Sequence, residues 1–300
     1  MTKARILCYG EIDLDIYLAL DRLPTWELSA WVRDEFDNVG GAAANSALWL
    51  ANWGLPTRLA GHDLGADAPG AAVREVFARY PQLDARFVAE HEGYRTPRCQ
   101  CLVLPDGERS FITHWLDDMR MTALTDAMLD GIEWINLDMS GPDEPRVHAA
   151  QLASSRGVSV LVNDIYRADH ALLPFVDVLV ISAAVSRSKA PEVDPLELAV
   201  VLGATGDCAV IVTDSSQPVT IFQKNGARSQ IMPPAVEALD TTGAGDIFKS
   251  GLVYGLLGGL PTPEAARWGV AAGSVCCKYA GTTQTLAPLD EVRAMLDVIS

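Results

Sequence analysis

Positive charge is scarce in this 300-residue chain: 23 Lys and Arg stand against 39 Asp and Glu, a formal net charge of −16. A field of that sign repels phosphate backbones and excludes a general nucleic-acid binder. A nucleotide substrate is still allowed, because a few local amides and cations can hold a phosphate inside an acidic protein. Long hydrophobic runs are missing as well. The most apolar, Gly251 to Leu260, is far short of the roughly 20 residues of a membrane span. The apolar stretch near the N-terminus is too short for a signal-peptide core and acids follow it at once. The expectation is a cytoplasmic protein with no membrane partner. Cysteine is sparse, with six at positions 8, 99, 101, 208, 276 and 277. Neither Cys99-x-Cys101 nor Cys276-Cys277 has zinc-ligand spacing, and the count is too low for a disulfide framework. The five histidines at 62, 91, 114, 148 and 170 show no ligand spacing, so no protein-bound metal cluster is expected. His114 and the tryptophans read as structural, since aromatics in strand or helix patterns are usually core.

What is present is an ordinary globular composition, 49% hydrophobic and 21% charged, and a regular alternation of elements. Strands are expected at Arg5–Tyr9, Thr57–Gly61, Trp134–Leu137, Ser159–Asn163, Val178–Ile181 and Ala209–Thr213. Helices are expected at Ala43–Trp53, Ala71–Tyr80, Glu144–Arg156 and Pro195–Leu202. This spacing predicts βαβ units and a mostly parallel sheet covered on both faces, an α/β fold. The last third adds strands at Val219–Gln223 and Gln230–Met232, then helices at Ile247–Gly258, Pro263–Tyr279 and Asp290–Val298. Two segments break the rhythm. Asp13–Leu20 alternates polar and apolar residues, and Arg98–Leu104 and Arg109–Trp115 flank Pro105-Asp106-Gly107-Glu108, a hairpin signal. With Trp31–Val39 they predict a small antiparallel sheet inserted into the larger domain.

Three features carry chemistry. Asp240-Thr241-Thr242-Gly243-Ala244-Gly245-Asp246 leads into an apolar helix, so free backbone amides and the helix dipole converge on an anion site. A carboxylate at the mouth of such a site, Asp246, is suited to accept a proton from the nucleophile that attacks the bound anion; a plain N-cap is the alternative. The run from Gly243 to Ser250 nearly imitates a Walker A loop, but Phe248 stands where the second glycine must be, and Lys249 reads as a helix-surface lysine. Next, Gly40-Gly41-Ala42-Ala43-Ala44-Asn45 opens a helix. The glycines permit close approach of a ligand or of packed backbone, and Asn45 suits sugar hydroxyls. Last, Asp13, Asp15, Asp138 and Asn163-Asp164 lie near strand ends, where open parallel sheets bind ligands, and carboxylates such as Asp13, Asp15 and Asp138 accept well from vicinal hydroxyls.

In order and spacing these motifs resemble the ribokinase/PfkB carbohydrate kinases across essentially the whole chain. The resemblance implies a single domain over residues 1–300, a three-layer α/β/α core with a small inserted β lid from segments at about 13–39 and 95–115, and a homodimer through that lid. It implies ATP-dependent phosphorylation of a small sugar, with Mg²⁺ escorting the ATP. Asp246 would be the base and the amides of Gly243, Ala244 and Gly245 the anion hole. Asp13, Asp15, Gly40, Gly41, Asn45 and Asp138 would contact the sugar. Thr213, Asp214, Ser215 and Gly273 would line the nucleotide site, with a monovalent cation near Asp240 and Thr242. The stretches Trp134–Asp138, Ala266–Gly273 and Cys277–Gly281 are similar to the ketohexokinase-like branch, which favours a ketohexose or a related acidic ketose. Arg98 and Arg109 on the lid have the reach for a sugar phosphate or carboxylate, although lid-surface ion pairs are the commoner use.

Two departures stand against the family pattern. Its Asn-x-x-Glu element, whose acid orders water around the metal, is replaced by Ser182-Ala183-Ala184-Val185-Ser186. Its glycine-rich ATP loop is replaced by Thr213-Asp214-Ser215-Ser216-Gln217-Pro218. Asp214 or another acid would have to stand in for the lost carboxylate. The alternatives are therefore a catalytically weakened sugar- or nucleoside-binding relative, and a nucleoside kinase.

Overall fold

Five consecutive buried residues, Ile6–Gly10, form strand β1 and show why the central sheet must be covered on both sides. Ile6 and Cys8 join one apolar cluster while Leu7 and Tyr9 join another, as the alternation of side chains along a strand requires. The computed structural model describes residues 3–299, so Met1, Thr2 and Ser300 of the expected 1–300 domain lie outside the described residues.

The chain continues through β2 (Asp13–Leu20), β3 (Val32–Gly40), α1 (Ala42–Asn52), β4 (Thr57–Gly61), β5 (Leu64–Gly65), α2 (Ala68–Ala78), β6 (Leu83–Asp84) and β7 (Glu90–His91). Next come β8 (Arg98–Val103), β9 (Arg109–His114), β10 (Trp134–Leu137), α3 (Asp143–Ser155), β11 (Ser159–Asn163), β12 (Val178–Ser182) and α4 (Ala183–Lys189). The last elements are α5 (Pro195–Gly206), β13 (Ala209–Asp214), β14 (Gln217–Phe222), β15 (Arg228–Ile231), α6 (Ala244–Leu257), α7 (Thr262–Cys276) and α8 (Leu289–Leu296).

Nine strands form the main sheet in the order β15-β14-β13-β12-β11-β10-β1-β4-β6. Every pairing from β6 to β13 is parallel, and β14 and β15 close one edge antiparallel. Buried residues of α1, α6, α7 and α8 pack on one face, and those of α3 and α5 on the other. This is a three-layer α/β/α core. No helix among the described residues is long and apolar enough to cross a membrane.

A separate four-stranded sheet has the order β3-β2-β8-β9. Its two hairpins pair internally antiparallel, but β2 and β8 join them in parallel, Asp15 lying opposite Cys99. Asp13 pairs with Gly40, Leu14 with Arg98 and Arg98 with His114. All four strands therefore meet the core at one rim, with the two hairpin turns at the far end.

The structure adds what the sequence pattern missed. Ser182–Lys189 is not a loop: Ser182 caps α4 by accepting from the Val185 amide. Helix α6 begins at Ala244 rather than Ile247, which puts Asp246 inside its first turn. Two tryptophans are not core. Trp26 is fully exposed and Trp31 is 62% exposed, both in the turn between β2 and β3.

Candidate active site

The sheet reverses its winding at β1, which lies between β4 and β10, and the crevice beyond the carboxyl ends of such neighbouring strands is where open α/β sheets hold ligands. Its floor is built around Asp138, the residue after β10. One oxygen of this carboxylate accepts the Glu11 amide at 2.5 Å, and the other accepts Arg146 Nη2 at 2.8 Å and the Ser140 amide at 3.2 Å. Arg146 is completely buried and also donates to the carbonyls of Asp138 at 2.6 Å and Pro142 at 2.9 Å. His62 lies 3.5 Å from Arg146 Nη2, and burial pushes its pKa down to about 4, so it meets the guanidinium as a neutral acceptor. Asp138, expected to contact sugar, is thus engaged through both oxygens in fixing the chain on either side of the crevice. Breaking a buried pair of this kind costs roughly 3–5 kcal/mol.

The wall comes from the lid rim. Asp13, Asp15 and Tyr17 share one face of β2, and Tyr17 stacks on Phe36 of β3 at 4.4 Å. Gly40 is a glycine because a Cβ there would lie 2.3 Å from Asp13 Oδ1 and 2.3 Å from the Asp15 carboxyl carbon. Gly41, the N-cap of α1, presses against the Glu11 carbonyl in the same way. Burial, reinforced by Asp15 and Glu11, raises the pKa of Asp13 well above the carboxylate range. Burial likewise pushes Asp15 to about 7, although hydrogen bonds from Cys101 and Asn38 favour its ionised form. Glu11 is lifted to about 7 by burial and by Asp138, against a hydrogen bond from the Ser140 hydroxyl. Three acids are thus crowded into one apolar wall. Asp15 also shares its surroundings with Cys99 and Cys101, whose sulfurs lie within 4.8 Å of its carboxylate and of each other.

The opposite wall is the start of α6. Gly243 caps this helix in the left-handed conformation (φ 71°), and a Cβ there would strike the Thr282 side chain at 2.2 Å. Gly243, Ala244 and Gly245 lie at the start of this helix, and the Ala244 amide donates to the Thr241 carbonyl at 3.3 Å. Asp246 stands one turn in. Asn45 Nδ2 of α1 donates to its Oδ2 at 3.0 Å, and Lys249 Nζ lies 3.4 Å from its Oδ1. Lys249 is not a surface lysine: it is 2% exposed and its second partner is Asn163 Oδ1 at 2.8 Å. The structure therefore brings Asp13, Asp15, Gly40, Gly41, Asn45 and Asp246 to one crevice.

The residues expected to line a nucleotide site lie farther along the same sheet edge. Thr213 is paired with Ser182 across β12 and β13, and Ser215 follows in a turn with φ 50°. Asp214 forms a two-pronged ion pair with Arg187 of α4, at 3.0 and 2.6 Å, so it does not stand free to replace the missing metal-ordering acid. Gly273 is buried where α7 meets α6, a Cβ there lying 3.1 Å from the Ala244 carbonyl. It packs behind the turn that starts α6. Asp240 accepts the amides of Thr242 at 2.8 Å and Gly281 at 2.9 Å, and the buried Thr242 hydroxyl has no partner. The lid closes over this side through Arg109, which donates to the Thr241 hydroxyl. Arg98 instead lies over Trp115 at 5.0 Å, and so neither arginine enters the carboxylate-lined crevice.

Sequence reasoning placed Asn163 at a strand end but missed Arg146, Asn38 and the burial of Lys249. The one available signal was position: Lys249 falls one helical turn after Asp246, on the same face.

Known proteins match this chain along nearly its whole length. A family model described as pfkB family carbohydrate kinase matches residues 3–288. The Bifunctional protein HldE of Shewanella sp. (strain W3-18-1) is 31% identical, over 98% of this chain and 64% of that protein. The ribokinase of Arabidopsis thaliana is 25% identical, over 97% of this chain and 80% of its own. The structure of Arabidopsis thaliana ribokinase complexed with ribose and ATP superposes with a TM-score of 0.82 at 21% identity, covering 98% of each chain. The chain spans under two thirds of the length of the bifunctional relatives.

The raised acids make a stability prediction. Asp15 binds its proton up to about pH 7 when folded and to about 3.8 otherwise, so the stability it lends below pH 4 is lost as pH rises through 7. Asp15→Asn removes that titration. Its melting temperature should gain steadily on the wild type between pH 4 and 7, at a rate equivalent to at most about 1.4 kcal/mol per pH unit. A difference that does not change with pH would show that Asp15 is not strained.

Proposed function

The chain belongs to the pfkB family of carbohydrate kinases, and on that premise we propose that it transfers the terminal phosphoryl group of ATP to a hydroxyl of a small sugar of the ketohexose kind, with Asp246 as general base. One observation carries the substrate class. Asp13 Oδ1, Asn38 Oδ1 and Asn45 Oδ1 are buried acceptors with no hydrogen-bond partner, and they line the crevice that Asp246 faces. Buried acceptors need donors, and a polyol supplies several at sugar spacing. The crowded acids disfavour a substrate with its own phosphate or carboxylate, since neither lid arginine reaches in to offset the charge.

The chemistry follows from the walls. Asn45 turns one oxygen of Asp246 so that the carboxylate takes the proton of a hydroxyl held against Asp13 and Asp15. The freed oxygen attacks the terminal phosphorus in line, and the bond to the leaving diphosphate breaks. The amides of Gly243 and Gly245, with the dipole of α6, stabilise the charge spread over the transferred group. Positioning and charge stabilisation are what phosphoryl transfer requires of a protein. Among the described residues, Ser182–Ser186 offer no carboxylate and Asp214 is tied to Arg187, so Mg²⁺ would arrive held by the ATP phosphates and water. Bound there, it would neutralise phosphate charge. Asp240 and Thr242 would hold the monovalent cation behind the anion loop. The same lack of metal-side acids favours the second reading, a relative that binds sugar or nucleoside without turnover.

ADP release with Mg·ATP over ketohexoses, aldopentoses, sugar acids, sugar phosphates and nucleosides separates the two. A kinase gives a hit that Asp246→Asn lowers at least about 10²-fold while calorimetry still shows binding. Binding without ADP release across the panel would establish the non-catalytic reading. Gly245 is exposed with open space where its Cβ would be, so Gly245→Val should fold normally yet lose about 10²-fold in turnover. Wild-type rates from either variant would move the base or the anion hole elsewhere.

The proposal extends to a homodimer through the lid, supported by the exposed Trp26, Trp31, Val32, Phe111 and Ile112 on its strands and turns. Sedimentation should give a dimer that Trp31→Glu weakens; a wild-type monomer at micromolar concentration would exclude it.

A further inference from the structure

We propose that Lys249 is the positioning residue of this site: a buried lysine that holds Asp246 as an oriented carboxylate and anchors it through Asn163 to the ends of β11 and β12. The inference rests on the reading of Asp246 as general base. Its grounds are geometric. Lys249 Nζ lies 3.4 Å from Asp246 Oδ1 and 2.8 Å from Asn163 Oδ1, at 2% residue exposure. Burying an ammonium costs several kcal/mol unless it is paired, and these are the two partners it has among the described residues. The chain of contacts runs on. Asn163 Nδ2 donates to Asp164 Oδ2 at 2.8 Å, and Asp164 Oδ1 accepts the Tyr166 hydroxyl at 2.6 Å and the Ser182 amide at 3.1 Å. Asp164 has a left-handed backbone (φ 61°), a conformation few residues other than glycine adopt. The strut thus links the base to the residue that caps α4, on the nucleotide side of the crevice.

Electrostatics explains why a cation is needed at that place. Asp246 is faced by Glu11 after β1, by Asp15 on β2, by the thiol of Cys8 on β1 and by that of Cys276 on α7. Asn45 and Ser46 of α1 add hydrogen bonds but no charge. Lys249 is the one cation within ion-pair distance of this carboxylate among the described residues. Lys249 is the counterweight. With Asn45 on one oxygen and Lys249 at the other, the carboxylate is held from both sides, leaving its remaining lone pairs for the crevice.

The test measures kcat, KM, the pH dependence of kcat/KM and melting temperature for Lys249→Met, Lys249→Arg, Asn163→Ala and Asp246→Asn, side by side. The acceptor is the panel sugar of highest turnover, with D-fructose as first choice, and Mg·ATP is saturating. Lys249→Met should lose about 10²-fold in kcat with the sugar KM within about threefold. The acidic limb of its kcat/KM profile should move up, because an ammonium no longer stands 3.4 Å from the Asp246 carboxylate. Lys249→Arg should recover part of the rate with the limb near its original place. Asn163→Ala should lose about tenfold in kcat with the limb unmoved. Wild-type kcat and limb in Lys249→Met would overturn the proposal. A loss that is equal at every pH and matched by a rise in KM would overturn it too, since that is a merely structural effect. If Lys249→Met fails to fold, Lys249→Gln replaces it and Asn163→Ala reads the strut independently. A fully active Asp246→Asn would sink the kinase reading itself, whereas an inactive Asp246→Asn beside a normal Lys249→Met sinks the positioning role alone.

Discussion

The crevice depends on the buried contact between Arg146 and Asp138. Where the sheet reverses its winding, the chain leaves the parallel neighbours β1 and β10 by different routes, and their carboxyl ends must be held at a fixed separation. Asp138 does this by accepting the Glu11 amide with one oxygen, and Arg146 fixes the other oxygen and the local carbonyls. Glu11, Asp13 and Asp15 follow directly along the chain, so their placement is set by this pair before any of them contacts a ligand. The cost of burying Arg146 is met by complete pairing.

A second theme is the accumulation of like charge. Glu11, Asp13 and Asp15 are raised by burial and by one another, and Gly40 is lost from the side-chain inventory to let two of them come so close. A fold selected for stability alone would not crowd them. Hydroxyl donors satisfy such a wall as water does, in fixed directions.

Most of the core was legible in the sequence. Strands buried on both faces read as continuous apolar runs, and the helices between them have ordinary lengths, so β1, β4, β10, β11, β12 and β13 fall within one residue of where pattern places them. The carboxylates near strand ends and the Gly-Ala-Gly-Asp turn were visible because their chemistry is carried by residue type. What escaped was set by tertiary context. Lys249 looks like any helix lysine until α6 is docked against the sheet, and Arg146 looks like a surface residue of a polar helix. Ser182–Lys189 has little apolar periodicity, and its helix rests on one serine cap. The parallel pairing of β2 with β8 joins segments nearly eighty residues apart, which no local pattern records.

That pairing also fixes how the small sheet can move. Its four strands are rooted at one rim, where Asp13, Gly40, Arg98 and His114 sit in register. The free end is a span of six residues away, about 20 Å at strand rise, and touches the core through Arg109 and Thr241. Mechanically this is a cantilever. A rotation of about ten degrees at the root sweeps the tip through about 3.5 Å, while Asp13 and Asp15, close to the pivot, hardly shift. Asp13 and Asp15 can thus stay in place while the cover above them swings, and a mutation near the tip moves the cover without displacing the carboxylates at its root.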